Sequence, residues 1–182
     1  MQGWAYVIVL AGISLWVAPF ILAKRHPELT SQIDKRARWG ILLEMFSFAV
    51  LWQGRFWEHA APEWRAVCSV LFFVAAAGLS WTSARALGMQ WRIDAGLNAE
   101  HELVMHGPYS LVRHPIYTSL LCMLCGVGFM MATWPMFALS VALFVAGTEI
   151  RVHVEEGLLS GRFGETFQKY RQSVSAYIPL VR

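Results

Sequence analysis

Apolar residues fall in long windows along this chain, separated by stretches where polar and charged residues crowd together. A helix rises about 1.5 Å per residue, so roughly 20 mostly apolar residues cross about 30 Å of hydrocarbon. Five windows reach or approach that length: residues 3–22, 39–57, 64–84, 116–132 and 134–150. The first carries no charge and lacks the basic start and small-residue cleavage site of a signal peptide, so it predicts a retained helix. The last two are separated by Thr133, with Pro135 just inside the second, and so short a link predicts an antiparallel helical hairpin. Trp4, Trp39, Trp57, Trp64 and Trp134 lie at window edges, where an indole buries its ring and keeps its N–H in water. The pattern predicts an all-α integral membrane protein, one membrane domain over residues 1–182, with about five transmembrane helices and a C-terminal segment at 151–182.

Composition agrees: 57% of the 182 residues are hydrophobic and nine are Trp, which excludes an ordinary soluble domain. If the windows span, one side of the membrane holds 13 of the 15 Lys and Arg residues, leaving Arg55 and Arg65 on the other. The positive-inside rule then predicts an outside N terminus and a cytoplasmic C terminus. The Lys and Arg residues of the loop after the first window read as topology signals and headgroup contacts, and no nucleic-acid partner is expected. Cys68, Cys122 and Cys125 all lie inside predicted helices, and the CxxC at 122–125 has no second pair to complete a metal site, so no metal is expected. Glu44 stands about one turn into the second window; it could snorkel, pair with an Arg such as Arg38 or Arg85, or face a substrate cavity.

Two dense polar stretches remain, HELVMHGPYSLVRHPIYTS at 101–119 and EIRVHVEEGLLSGRFGETFQKY at 149–170. Both emerge on the same predicted side, so they can meet across the hairpin. Gly107-Pro108 signals a turn, and Pro115 suits the first turn of the fourth helix. That puts Arg113 and His114 at a helix mouth, where unpaired N–H groups favour an anion. Arg151 and Glu155 share a helical face, readable as an exposed salt bridge or as part of a pocket. Beyond Glu156, residues Leu158, Leu159, Phe163, Phe167 and Tyr170 recur at helical spacing and predict an interfacial helix that Gly157, Gly161 and Gly164 weaken.

LVMHGPYSLVRHPIYTSLL, EIRVHVEE and RFGETFQKYRQSVSAYIPLV, in that order over about the last eighty residues, resemble the integral membrane methyltransferases that include isoprenylcysteine carboxyl methyltransferase and the phospholipid N-methyltransferases. The resemblance implies S-adenosylmethionine as cofactor and a lipophilic or prenylated acceptor arriving from the bilayer. By position it implies that Val104, Gly107, Tyr109, Arg113, His114, Tyr117, Glu155 and Glu156 bind the cofactor, and that Arg151 and Glu155 face the reacting groups. Ser110 and Thr118-Ser119 depart from the family's frequent residues, which leaves the acceptor open. A carboxylate acceptor would need a cation such as Arg151 to fix it. An amine acceptor would need a base, for which Glu155, Glu156 or His153 could serve. Two other readings are a sterol-type reductase using a reduced nicotinamide dinucleotide phosphate and a non-catalytic accessory protein. In the accessory protein the polar cluster would only tie the helix ends together, so that Glu156→Ala would cost stability, whereas in a cofactor site it would cost binding with the fold intact.

Overall fold

The computed structural model describes residues 3–23, 30–53, 61–91, 96–98 and 102–177. Helix α1 covers Gly3–Leu22, α2 Ala37–Leu51, α3 Glu63–Leu87, α4 Pro115–Met131, α5 Trp134–Phe163 and α6 Glu165–Ser173. By length and composition α1, α3 and α5 can each cross a membrane, while α4 is a shorter apolar helix. The second predicted window ran to Trp57; Arg55 and Trp57 lie outside the described residues, and α2 ends at Leu51. Pro62 directly precedes α3 and Pro115 opens α4, placements in which the missing N–H removes no intrahelical bond.

The end of α5 differs from expectation. It runs unbroken through Gly157 and Gly161 to Phe163, and only Gly164, at φ 51°, breaks the chain before α6. Glycine weakens a helix without forbidding it; a left-handed backbone conformation ends one. The described residues also contain a strand pair that the apolar pattern did not announce. Strand β1 (Thr30–Ile33) runs antiparallel to β2 (Gly96–Asn98), with Gln32 opposite Leu97.

The α4–α5 hairpin forms with only Ala132 and Thr133 between its helices, yet those helices touch each other little. Instead α5 packs chiefly on α2, and α4 on α3, with α1 completing the bundle against α3. Phe73 of α3 fills the centre: a Cβ on Gly12 of α1 would lie 2.4 Å from its ring, and one on Gly126 of α4 would lie 3.0 Å away. Buried serines join helices, Ser69 donating to the Gly126 carbonyl (2.7 Å) and Ser140 to the Ser47 carbonyl (2.7 Å). Arg65 donates to the carbonyls of Gly128, Phe129 and Ala132 and caps the end of α4. Apolar side chains such as Val7, Leu10, Leu42, Met45, Leu71 and Val74 point outward, the surface a bundle offers to lipid.

Candidate active site

At the end of the bundle where α1 and α3 finish and α4 begins, a cavity of about 260 Å³ opens. Its walls come from the last turns of α1 (Trp16, Phe20), the end of α3 and the turn after it (Leu87, Gln90, Trp91), the extended segment with Glu102, Leu103 and Val104, the start of α4, and α5 and α6 beyond Ile150. Seven predicted site residues line it: Val104, Tyr109, Arg113, His114, Tyr117, Arg151 and Glu155. Gly107 and Glu156 do not. Gly107 has φ 63° and opens the turn that carries Tyr109, a backbone role.

Glu156 is buried behind the cavity wall. Its Oε1 accepts from Arg113 Nε at 2.9 Å and lies 3.2 Å from His114 Nε2, while its Oε2 lies 3.2 Å from Arg171 Nε. The anion that the mouth of α4 attracts is thus the protein's own carboxylate. Arg113 continues outward, donating to the carbonyls of Arg171 and Val174 and so capping α6. The segment after α6 is also held by backbone bonds, from Arg113 N to the Ser175 carbonyl (2.8 Å) and from His114 N to the Ala176 carbonyl (3.0 Å).

The cavity side is built differently. Tyr117 donates to Glu155, and His114 Nδ1 lies 3.8 Å from the same carboxylate. The guanidinium of Arg151 stands over the Tyr117 ring, 4.7 Å from its centre, a cation–π contact. Arg151 Nη1 donates to Glu44 at 2.8 Å, and Thr148 donates to the other oxygen of Glu44 at 3.0 Å. Glu44 thus pairs with an arginine, but with Arg151 on α5 rather than with Arg38 or Arg85. Neither His106 nor His153 lines the cavity.

Sequence reasoning missed the α1 and α3 contributions. One signal was present: Trp16 lies inside an apolar window, where its indole N–H needs a partner. It donates to Ser119 Oγ at 2.9 Å and packs edge-on to Phe20, which stacks on Trp91.

Burial pushes the Tyr170 phenol up to about 12 and that of Tyr109 upward as well, so both stay neutral at physiological pH. Tyr170 donates to the Tyr109 carbonyl at 2.6 Å, bracing the cavity floor. Because its pKa is raised above the unfolded value of about 10, the stability it contributes is complete below that pH and is lost as pH rises through about 12. Tyr170→Phe should therefore cost about 1 kcal/mol at neutral pH and flatten the alkaline limb of the stability profile. Chemical denaturation from pH 7 to 12 checks this; an unchanged alkaline limb would refute it.

The described residues thus form a helical bundle with three helices long and apolar enough to cross a membrane and a charged, aromatic-walled cavity at one end. Residues 64–166 match the phospholipid methyltransferase family, more than half of the chain, and the protein belongs to that family of membrane methyltransferases. It is 35% identical over 90 residues to protein-S-isoprenylcysteine O-methyltransferase A of Arabidopsis thaliana, covering 49% of this chain and 45% of that one. It is 30% identical over 84 residues to protein-S-isoprenylcysteine O-methyltransferase of Schizosaccharomyces pombe, covering 46% and 36%. A longer match, 29% over 140 residues, is to the nickel-cobalt-cadmium resistance protein NccN of Alcaligenes xylosoxydans xylosoxydans, covering 67% and 65%. The chain thus spans about a third to two thirds of the length of these relatives. Among the described residues no group of three or more His, Cys, Asp or Glu side chains is placed to hold a metal ion.

Proposed function

We propose that this protein is an S-adenosylmethionine-dependent methyltransferase acting on a lipophilic acceptor delivered from the bilayer, with carboxyl methylation of the isoprenylcysteine type as its leading chemistry. The observation that carries this reading is the cavity that places a carboxylate, Glu155, and a guanidinium, Arg151, between aromatic walls at the end of long apolar helices. The same reading takes the chain as a single membrane domain of five spans with its N terminus outside and the cavity on the cytoplasmic side.

Members of the family use S-adenosylmethionine. The donor set suits that molecule: Glu155 matches an ammonium group, and Trp91, Phe167 and Leu159 offer apolar surface to an aromatic base. When bound it supplies an electrophilic methyl group. The protein's share is then alignment and exclusion of water. Glu155, fixed by Tyr117, would orient the cofactor's amino-acid end, with His114 and the backbone from Val104 to Tyr109 beside it. Arg151, on the face of Tyr117, would hold an acceptor carboxylate.

Methylation of a phospholipid amine is the second reading. It is favoured by the pairing of Arg151 with Glu44, which compensates the cation before any acceptor arrives, and Glu155 would then serve as base. Family membership weighs against both the reductase and the accessory protein.

Calorimetric titration of detergent-purified protein with S-adenosylhomocysteine, beside the reduced nicotinamide dinucleotide phosphate, tests the cofactor. Micromolar binding of the former is expected. It should weaken about 10- to 100-fold in Glu155→Gln, the ~1.5–3 kcal/mol of a charge-assisted hydrogen bond. Folded protein that ignores S-adenosylhomocysteine would sink the proposal. Methyl transfer to N-acetyl-S-farnesylcysteine against vesicles of phosphatidylethanolamine separates the two acceptor classes.

A further inference from the structure

Glu44 does not line the cavity, and nothing in the family resemblance gave it a role. It lies on α2 four residues from Gly40, a spacing that puts both on one helical face. That face meets α5 at Gly147 and at the Arg151 side chain. A Cβ on Gly40 would stand 2.5 Å from Arg151 Cγ, so only glycine lets the arginine stem lie across α2. The stem ends in a guanidinium held between the Glu44 carboxylate at 2.8 Å and the Tyr117 ring at 4.7 Å. Glu44 is itself held, being 4% exposed and bound through its other oxygen to Thr148, one turn before Arg151.

We propose that Glu44 is a positioning residue for Arg151, fixing both the aim and the compensated charge of the guanidinium that meets the acceptor. The proposal rests on the methyltransferase reading above. An arginine side chain has many rotamers, and a cation that must meet a small reacting group gains from having them removed beforehand. The carboxylate does this from outside the cavity. It also sets the grip: a guanidinium already paired on one edge binds a carboxylate acceptor less tightly than an unpaired one. Two helices distant in sequence are thereby made to act on one atom group.

The test measures turnover as methyl transfer from S-adenosylmethionine to N-acetyl-S-farnesylcysteine and to phosphatidylethanolamine vesicles. The proteins are wild type, Glu44→Gln, Glu44→Asp, Arg151→Gln and the Glu44→Gln/Arg151→Gln double variant, each also titrated with S-adenosylhomocysteine. Glu44→Gln should lower kcat by about 10- to 100-fold, the effect of misplacing a reacting group by about 1 Å. Its affinity for S-adenosylhomocysteine should be unchanged, which a general loss of structure would not allow. Glu44→Asp should recover part of the rate. The double variant should be no slower than Arg151→Gln, because Glu44 acts only through Arg151. Wild-type turnover in Glu44→Gln, or losses that multiply in the double variant, would overturn the proposal. Wild-type protein that binds no S-adenosylhomocysteine would overturn the methyltransferase reading itself, and this proposal with it.

Discussion

Glu156→Ala will destabilise the fold by about 3–5 kcal/mol, because it leaves Arg113 as a buried cation without its carboxylate. The two side chains are 11% and 9% exposed, so water cannot replace the lost partner cheaply. His114 and Arg171 lose the same carboxylate. The damage spreads because Arg113 also caps α6 and its backbone holds the segment that follows. Thermal unfolding in detergent, with and without S-adenosylhomocysteine, is the check. A midpoint below wild type in the absence of ligand is expected, with any loss of ligand affinity following from it. If Glu156 were instead a direct cofactor ligand with no structural duty, the ligand-free midpoint would match wild type. Since Glu155 lines the cavity and Glu156 does not, the two adjacent acids should separate: Glu155→Gln weakens binding with the fold intact, and Glu156→Ala weakens the fold.

The second large effect is expected at Gly147, where α2 and α5 touch backbone to backbone. A Cβ there would lie 2.7 Å from the Gly40 carbonyl oxygen, 3.0 Å from Leu43 Cβ and 3.1 Å from the Glu44 amide nitrogen. Backbone cannot swing aside as a side-chain tip can, so Gly147→Val must push the helices apart, at about 1–3 kcal/mol or more. Function should suffer beyond stability, because Glu44 and Arg151 flank this contact and their 2.8 Å bond cannot survive the separation. Gly157→Ala is the control. It lies in the same helix with nothing within 4 Å of its Cβ position, and should stabilise by about 0.5–1 kcal/mol through helix propensity alone. Equal midpoints and rates for the two variants would refute the argument.

The long helices were legible because hydrophobic length is a property of local sequence, which is why α1, α3 and the hairpin of α4 and α5 are found where the apolar windows lie. Most of the cavity's polar lining was legible through a motif resemblance, which carries residue positions without geometry. That difference shows at Glu155 and Glu156. Adjacent on a helix, they point about 100° apart, and only the packing around them decides that one faces the cavity and the other Arg113. Strands β1 and β2 were not legible, since they are short and lie in polar loops without alternation.

What this sequence determines by itself is the elements it forms. Its apolar windows supply helices long and apolar enough to cross a membrane, and Pro62 and Pro115 mark the starts of α3 and α4. What the tertiary structure decided is which helices meet. The chain makes α4 and α5 neighbours in sequence, yet close packing pairs α5 with α2 through Gly40 and Gly147, and α4 with α3 around Phe73. Small residues permit such approaches without specifying the partner, because a glycine in an apolar window looks the same whichever helix it faces. The pairing of Glu44 with Arg151, 107 positions apart, follows from that choice of partner and from nothing local.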